Sequence, residues 1–486
     1  MTAATPGVQF AADESGQRSS SRFGRQTVAA ALAAVDPVGA LAAERETSWR
    51  SGYVAHFRRM VEAGLATPED WNAIASAGLD AFHDGLVVVD ADGTEQPLRS
   101  ILDRPVGHAL QTVEVKGEGS RDDDLALPYR GQKLRGEEIH EQLARWVADG
   151  VIEPSTASAV GTVVDHPDWL RLDGHTVAVL GAGSQMGPLP ALLRWGATVA
   201  AIDVPSAELW RRLLSDARGS AGHLLTPATD GSEDPERAGT DLLVDGPAVA
   251  DWLAEVPGRL VIGNYTYADG ADHVRLSAAV DLVGERVRQQ RDDVTLAFLA
   301  TPTDAFVVPE DAVADSIDRY RRRSRVGKLA GRPLRAVSRG NLLQRAYLPG
   351  TDLGICDALV PIQGPNYALA KRLQRWRATT ARAAGVDVSL NVAPSTRTRS
   401  VVKNRALAAA YAGAHRFGVE VFEPDTANTL MAALLVHDLN SPEVELSHPW
   451  QHEASNAAHG GLWRSAYAPR SALGLAAVFG YAAARN

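Results

Sequence analysis

Thr176-Val177-Ala178-Val179-Leu180-Gly181-Ala182-Gly183-Ser184-Gln185-Met186-Gly187 is an apolar run that stops on glycine. Its continuation through Trp195 to Thr198-Val199-Ala200-Ala201-Ile202-Asp203 decides the fold. Strand, glycine turn, amphipathic stretch and second strand in one short span is βαβ spacing. Further apolar runs stand at Leu242-Leu243-Val244, Leu260-Val261-Ile262, Thr295–Leu299 and Val386–Leu390, with helical patterns between most of them. Strands that alternate with helices predict an α/β domain with a doubly wound parallel sheet, here over residues 171–440.

Outside that span the texture differs. Residues 1–25 carry Ser19-Ser20-Ser21 among charges and read as a disordered tail. Over 26–170 the pattern is mainly helical, with Val54, Phe57, Met60, Val61 and Leu65 at helical spacing, so a helical N-terminal extension is expected there. Residues 441–486 form a C-terminal segment whose Trp450 and Trp463 suggest a cover over a substrate pocket or a subunit contact, hence a homo-oligomer.

Composition narrows the function. Hydrophobic residues are 45 % and charged residues 22 % of the chain, ordinary globular usage. A formal charge of −10 argues against nucleic acid or an anionic membrane as partner and for a small-molecule substrate. Cys356 is the only cysteine, which rules out an intrachain disulfide and suits a cytoplasmic protein. No run of 18 apolar residues without charge suggests a membrane span. No metal site is expected: His448, His452 and His459 lack an acidic motif to complete one, and Asp122-Asp123-Asp124 lacks a calcium loop.

The glycine turn is the first chemical signal. Glycines at Gly181 and Gly183, with Ser184, Gln185, Met186 and Gly187 completing a GxGxxxG turn, let the backbone approach a pyrophosphate at a helix N-terminus. Asp203, at the end of the second strand, can bond adenosine ribose hydroxyls and repel a 2′-phosphate, which favours NAD over NADP. An S-adenosylmethionine or other nucleotide site, or a turn with no ligand, fits the same residues.

The second signal is Tyr367-Ala368-Leu369-Ala370-Lys371, a phenol and an ammonium on one helical face. The neighbouring cation is expected to lower the phenol's pKa and make Tyr367 a general acid or base. A strand follows, ending in Asn391-Val392-Ala393-Pro394-Ser395, with Thr398 just downstream.

This order resembles the short-chain dehydrogenase/reductase family, Rossmann-like NAD(P)-dependent enzymes, and the chain would be a divergent member. The resemblance implies hydride transfer between nicotinamide and a secondary alcohol or ketone. Tyr367 would exchange the proton, Lys371 would hold the nicotinamide ribose, and Pro394 and Thr398 would touch the cofactor. Asn264 would stabilise the sheet and close over the adenine side. The family's serine before the tyrosine is missing, since Gly354 stands there, and Thr301, Thr303 and Ser338 are the candidate replacements.

The interval before Tyr367 is long, with an insertion at about 304–363. Its stretch Asp311–Gln363 is expected to build a lid or pocket wall. It contains Arg319-Tyr320-Arg321-Arg322-Arg323-Ser324-Arg325, which could clamp an anionic substrate or be a solvated helix face. Two other functions stay open: a lyase, dehydratase or epimerase that uses NAD transiently, and a catalytically inert Rossmann-like binding protein.

Overall fold

A computed structural model describes residues 5–323, 333, 335–442 and 444–483. In chain order its strands are β1 (Gly7–Phe10), β2 (Leu86–Val89), β3 (Glu95–Pro97), β4 (Gln111–Lys116), β5 (Leu127–Tyr129), β6 (Gln132–Leu134), β7 (His175–Leu180), β8 (Thr198–Ile202), β9 (His223–Ala228), β10 (Arg259–Asn264), β11 (Val294–Ala300), β12 (Ala305–Val308), β13 (Gly354–Asp357) and β14 (Val388–Val392).

The central sheet has seven strands in the order β14-β11-β10-β7-β8-β9-β4. All its pairings are parallel except β4 with β9. Helices flank it, and the whole is α/β and compatible with a Rossmann-like fold. Strands β7, β8 and β10 are apolar and almost wholly buried, because helices cover both faces.

Several expectations need correction. Leu242-Leu243-Val244 is a turn, and the strand after β8 is His223–Ala228, whose Pro227 disguises it in the sequence. In the tail expected over 1–25, β1 pairs antiparallel with β2, Val8 and Phe10 are buried, and a helix starts at Ser20. The N-terminal extension is joined to the sheet, since β4 adds an antiparallel edge with alternating exposed and buried residues. The extension's helices Trp49–Gly64 and Pro68–Asp84 also share a hydrophobic cluster with Leu369, Leu373 and Trp376 of helix Pro365–Ala383. No described helix is long and apolar enough to cross a membrane.

Helix Pro365–Ala383 is held by buried charge as much as by apolar packing. Arg375, 1 % exposed, donates to Asp304 (Nη1 to Oδ2, 2.6 Å) and to Glu453 (Nε to Oε1, 2.9 Å). Arg372 reaches the other oxygen of Asp304 at 2.6 Å. Farther along, Arg377 forks onto Asp281, which His83 also contacts at 2.8 Å.

Removing one partner of such a network strands the other charges in a low-dielectric interior. Arg375→Ala should therefore cost about 3–5 kcal/mol. Guanidinium unfolding measures it, and a loss under about 1 kcal/mol would put this ion network on the scale of surface pairs.

Candidate functional site

Five strand ends meet one cavity. It has a volume of about 1380 Å³ and follows the C-terminal edge of the parallel strands. Residues just after β7 (Gly181, Gly183), β8 (Asp203), β10 (Tyr265, Thr266), β11 (Thr301) and β14 (Pro394, Ser395) line it.

The glycine turn is a cradle at its first two glycines. Gly181 has φ +89°, and a Cβ there would lie 2.9 Å from the backbone of Tyr265 and Thr266. A Cβ on Gly183 would meet Leu209 at 2.6 Å and the Asp203 carboxylate at 3.2 Å. Ser184, Gln185 and Met186 also line the cavity. Gly187 does not; a Cβ there would meet nothing nearer than 3.4 Å, so the third glycine of the motif is not required. The expected seat at a helix N-terminus also needs correction. The next helix, Leu189–Arg194, begins beyond Pro188 and is under two turns long, so its dipole is small.

Asp203 faces this turn. Its Oδ2 accepts the Gly183 N–H at 2.7 Å and its Oδ1 the Val204 N–H at 2.8 Å. Burial raises its carboxyl pKa, while those two bonds and the Arg212 charge hold the rise back. Asn264 lies under the floor rather than in the cavity. It is buried, and its Oδ1 accepts both the Thr266 N–H at 3.3 Å and the Thr266 hydroxyl at 2.8 Å, fixing the turn after β10.

At the other end, helix Pro365–Ala383 brings Tyr367 and Lys371 to the cavity in its first two turns. Thr301 joins them, its hydroxyl acting on the phenol's pKa. Thr303 stays behind it, off the cavity, sharing a 2.9 Å hydroxyl contact with Thr301. Ser338 lies away, its hydroxyl capping Leu342 N–H at 3.0 Å.

Lys371 donates to the Leu299 carbonyl at 3.4 Å and to Gln374 Oε1 at 3.1 Å. The pKa of Tyr367 differs from expectation: burial pushes it up, Asp304 adds to the rise, and only the Thr301 hydroxyl opposes it. Lys371 is not among the groups that shift it, and burial pushes the lysine itself down to about 8. Pro394 and Thr398 both line the cavity, Thr398 beside Ser400 at 3.0 Å.

Sequence reading missed several lining residues. His273, Tyr267 and Tyr367 form a ring cluster with centroids 5.2–6.4 Å apart. Tyr411 comes from helix Arg405–Gly413 and lies in reach of Ser395. No motif marks these positions, and only the burial of a histidine in a mostly apolar helix could have flagged His273.

The insertion builds little of this wall. Among its described residues the contribution is Ile362 and Gln363, while others form the antiparallel β12–β13 pair and helix Glu310–Arg322. The anion clamp is wrong for its described residues. Arg321 and Arg322 are exposed and pair with Asp318 at 3.9 and 2.7 Å, away from the cavity. Ser324 and Arg325 of that run lie outside the described residues. Trp450 and Trp463 are buried in hydrophobic clusters and do not line the cavity. His448 caps helix Pro449–Ala454 and His459 bonds Glu153 at 2.9 Å.

No protein-family model matches the chain, and no curated protein matches it. Function has to be read from the geometry.

Lys371 yields a pH prediction. Its folded value of about 8 lies below the ordinary 10.5, so between these pH values the unfolded chain binds more protons and stability rises with pH. Below about 8 the burial penalty is present in full. Lys371→Met should thus stabilise the protein at pH 7 by about 1–3 kcal/mol, a gain that fades towards pH ~10. Denaturant unfolding at both pH values checks this, and a variant no more stable than the parent at pH 7 refutes it.

Proposed function

We propose that the chain is a Rossmann-like oxidoreductase, akin to the short-chain dehydrogenases, that binds NAD(H) in this cavity and interconverts a ketone and a secondary alcohol. One observation carries the proposal. A single cavity runs from the Gly181–Gly183 cradle and Asp203 to Tyr367, Thr301 and Lys371. It crosses the point where successive strands go to opposite sides of β7, since β8 and β9 lie on one side and β10, β11 and β14 on the other. Open α/β sheets bind ligands at such a switch point, outside the carboxyl ends of the strands, and this order of parallel strands is the one dinucleotide-binding sheets use.

The residues present suit a dinucleotide. Gly181 and Gly183 let the turn lie close against the Tyr265–Thr266 backbone, Leu209 and Asp203, where a Cβ would collide. Each Asp203 oxygen already accepts one backbone N–H and keeps a further lone pair for a ribose hydroxyl, while its charge repels a 2′-phosphate. Lys371, Pro394 and Thr398 would line the nicotinamide half.

When bound, nicotinamide supplies or accepts the hydride. The chain's own part is the proton. Burial keeps the Tyr367 phenol protonated at neutral pH, so it can donate to a carbonyl oxygen as the carbon is reduced. The phenolate left behind is stabilised by the Thr301 hydroxyl, which takes the place of the family's serine.

Calorimetric titration with NADH and NADPH tests the site, with NADH expected to bind more tightly. Tyr367→Phe should keep NADH affinity and lower ketone reduction by about 10²-fold. Equal or reversed nucleotide affinities would remove Asp203 from its role, and a phenylalanine variant with more than half the parent rate would remove Tyr367.

A further inference from the structure

His273 is 1 % exposed and lines the cavity, yet neither ring nitrogen has a hydrogen-bond partner. A buried imidazole left so is costly, on the order of 1–3 kcal/mol, unless something else completes its bonds. It sits in the first turn of helix Ala271–Arg288, against the adjacent rings of Tyr267 and Tyr367 at 5.2 and 5.6 Å. That places it between the turn after β10 and the helix that carries Lys371.

The chemistry of its partner follows from its charge. Burial, with the Lys371 charge nearby, pushes the imidazole down to about 3, and the nearby Thr266 backbone, too poorly placed to hydrogen-bond either ring nitrogen, opposes this only in part. At neutral pH the ring is therefore uncharged, with one donor and one acceptor nitrogen. The donor nitrogen alone suits a phosphate or carboxylate oxygen, whereas a hydroxyl, which both gives and takes a hydrogen bond, can pair with either nitrogen.

We propose that His273 is a ligand-contacting residue whose neutral imidazole pairs with a hydroxyl of the second, nicotinamide-side ribose of the dinucleotide. This rests on the dinucleotide reading above and adds to it a residue that neither the glycine turn nor the Tyr367–Lys371 pair predicts. The group acts in binding and does not transfer the proton, which stays with Tyr367.

The test compares the parent with His273→Leu and His273→Gln, using three probes. AMP reaches only the Asp203 end, ADP-ribose adds the second ribose, and NADH adds the nicotinamide. His273→Leu should weaken ADP-ribose and NADH by roughly tenfold and leave AMP unchanged, and His273→Gln, which keeps a donor and an acceptor, should recover part of the loss. Without nucleotide, His273→Leu should melt no lower than the parent, because it removes an unpaired polar group. If the parent binds ADP-ribose and NADH and both variants bind them equally well, the contact is wrong and the dinucleotide reading stands. Equal weakening of all three probes, or a melting temperature well below the parent's, makes His273 a structural residue and overturns the proposal. If the parent binds none of the three, the dinucleotide reading falls and this contact falls with it.

Discussion

The buried guanidinium of Arg375, shared between Asp304 and Glu453, sets where the Tyr367 helix lies. Asp304 follows β11 only three residues after Thr301, and Glu453 belongs to the C-terminal segment. One side chain thus ties together the strand end that offers Thr301, the helix that offers Tyr367 and Lys371, and a segment distant in sequence. Apolar packing alone tolerates small slides, whereas three desolvated charges lose far more energy when a partner moves. Arg377 with Asp281 and His83 repeats the device two residues on, against the N-terminal helices.

This explains how a polar helix becomes a buried one. Arg372, Gln374, Arg375 and Thr379 are all buried, and the N-terminal helices cover the face that Leu369, Leu373 and Trp376 present. The N-terminal region, unreadable as chemistry, therefore acts as the outer support of the site. It gives the sheet its last strand and the Tyr367 helix its backing.

Much of the central architecture was legible in the residues. The run Thr176–Leu180 and its partner Thr198–Ile202 are strongly apolar and short, and the glycines between them mark the turn. Tyr367 and Lys371 share a face because helical period alone demands it. The failures have local causes. His223–Ala228 contains a proline and lacks alternation, while Leu242-Leu243-Val244 is a turn that buries only Leu242 and leaves Val244 exposed. Pro188 and Pro190 shorten the helix after the glycine turn, a limit that the spacing of glycines does not reveal. The pKa of Tyr367 depends on burial, which no single sequence displays. His273 was illegible for the same reason, as its importance lies in the bonds it does not make within the chain.

The two margins of the central sheet bear on how copies of this protein could meet. At one margin β4 turns Glu114 and Lys116 outward, and at the other every residue of β14 is buried beneath helices. Charged or covered margins discourage the strand-to-strand addition that leads to fibrils and swapped dimers.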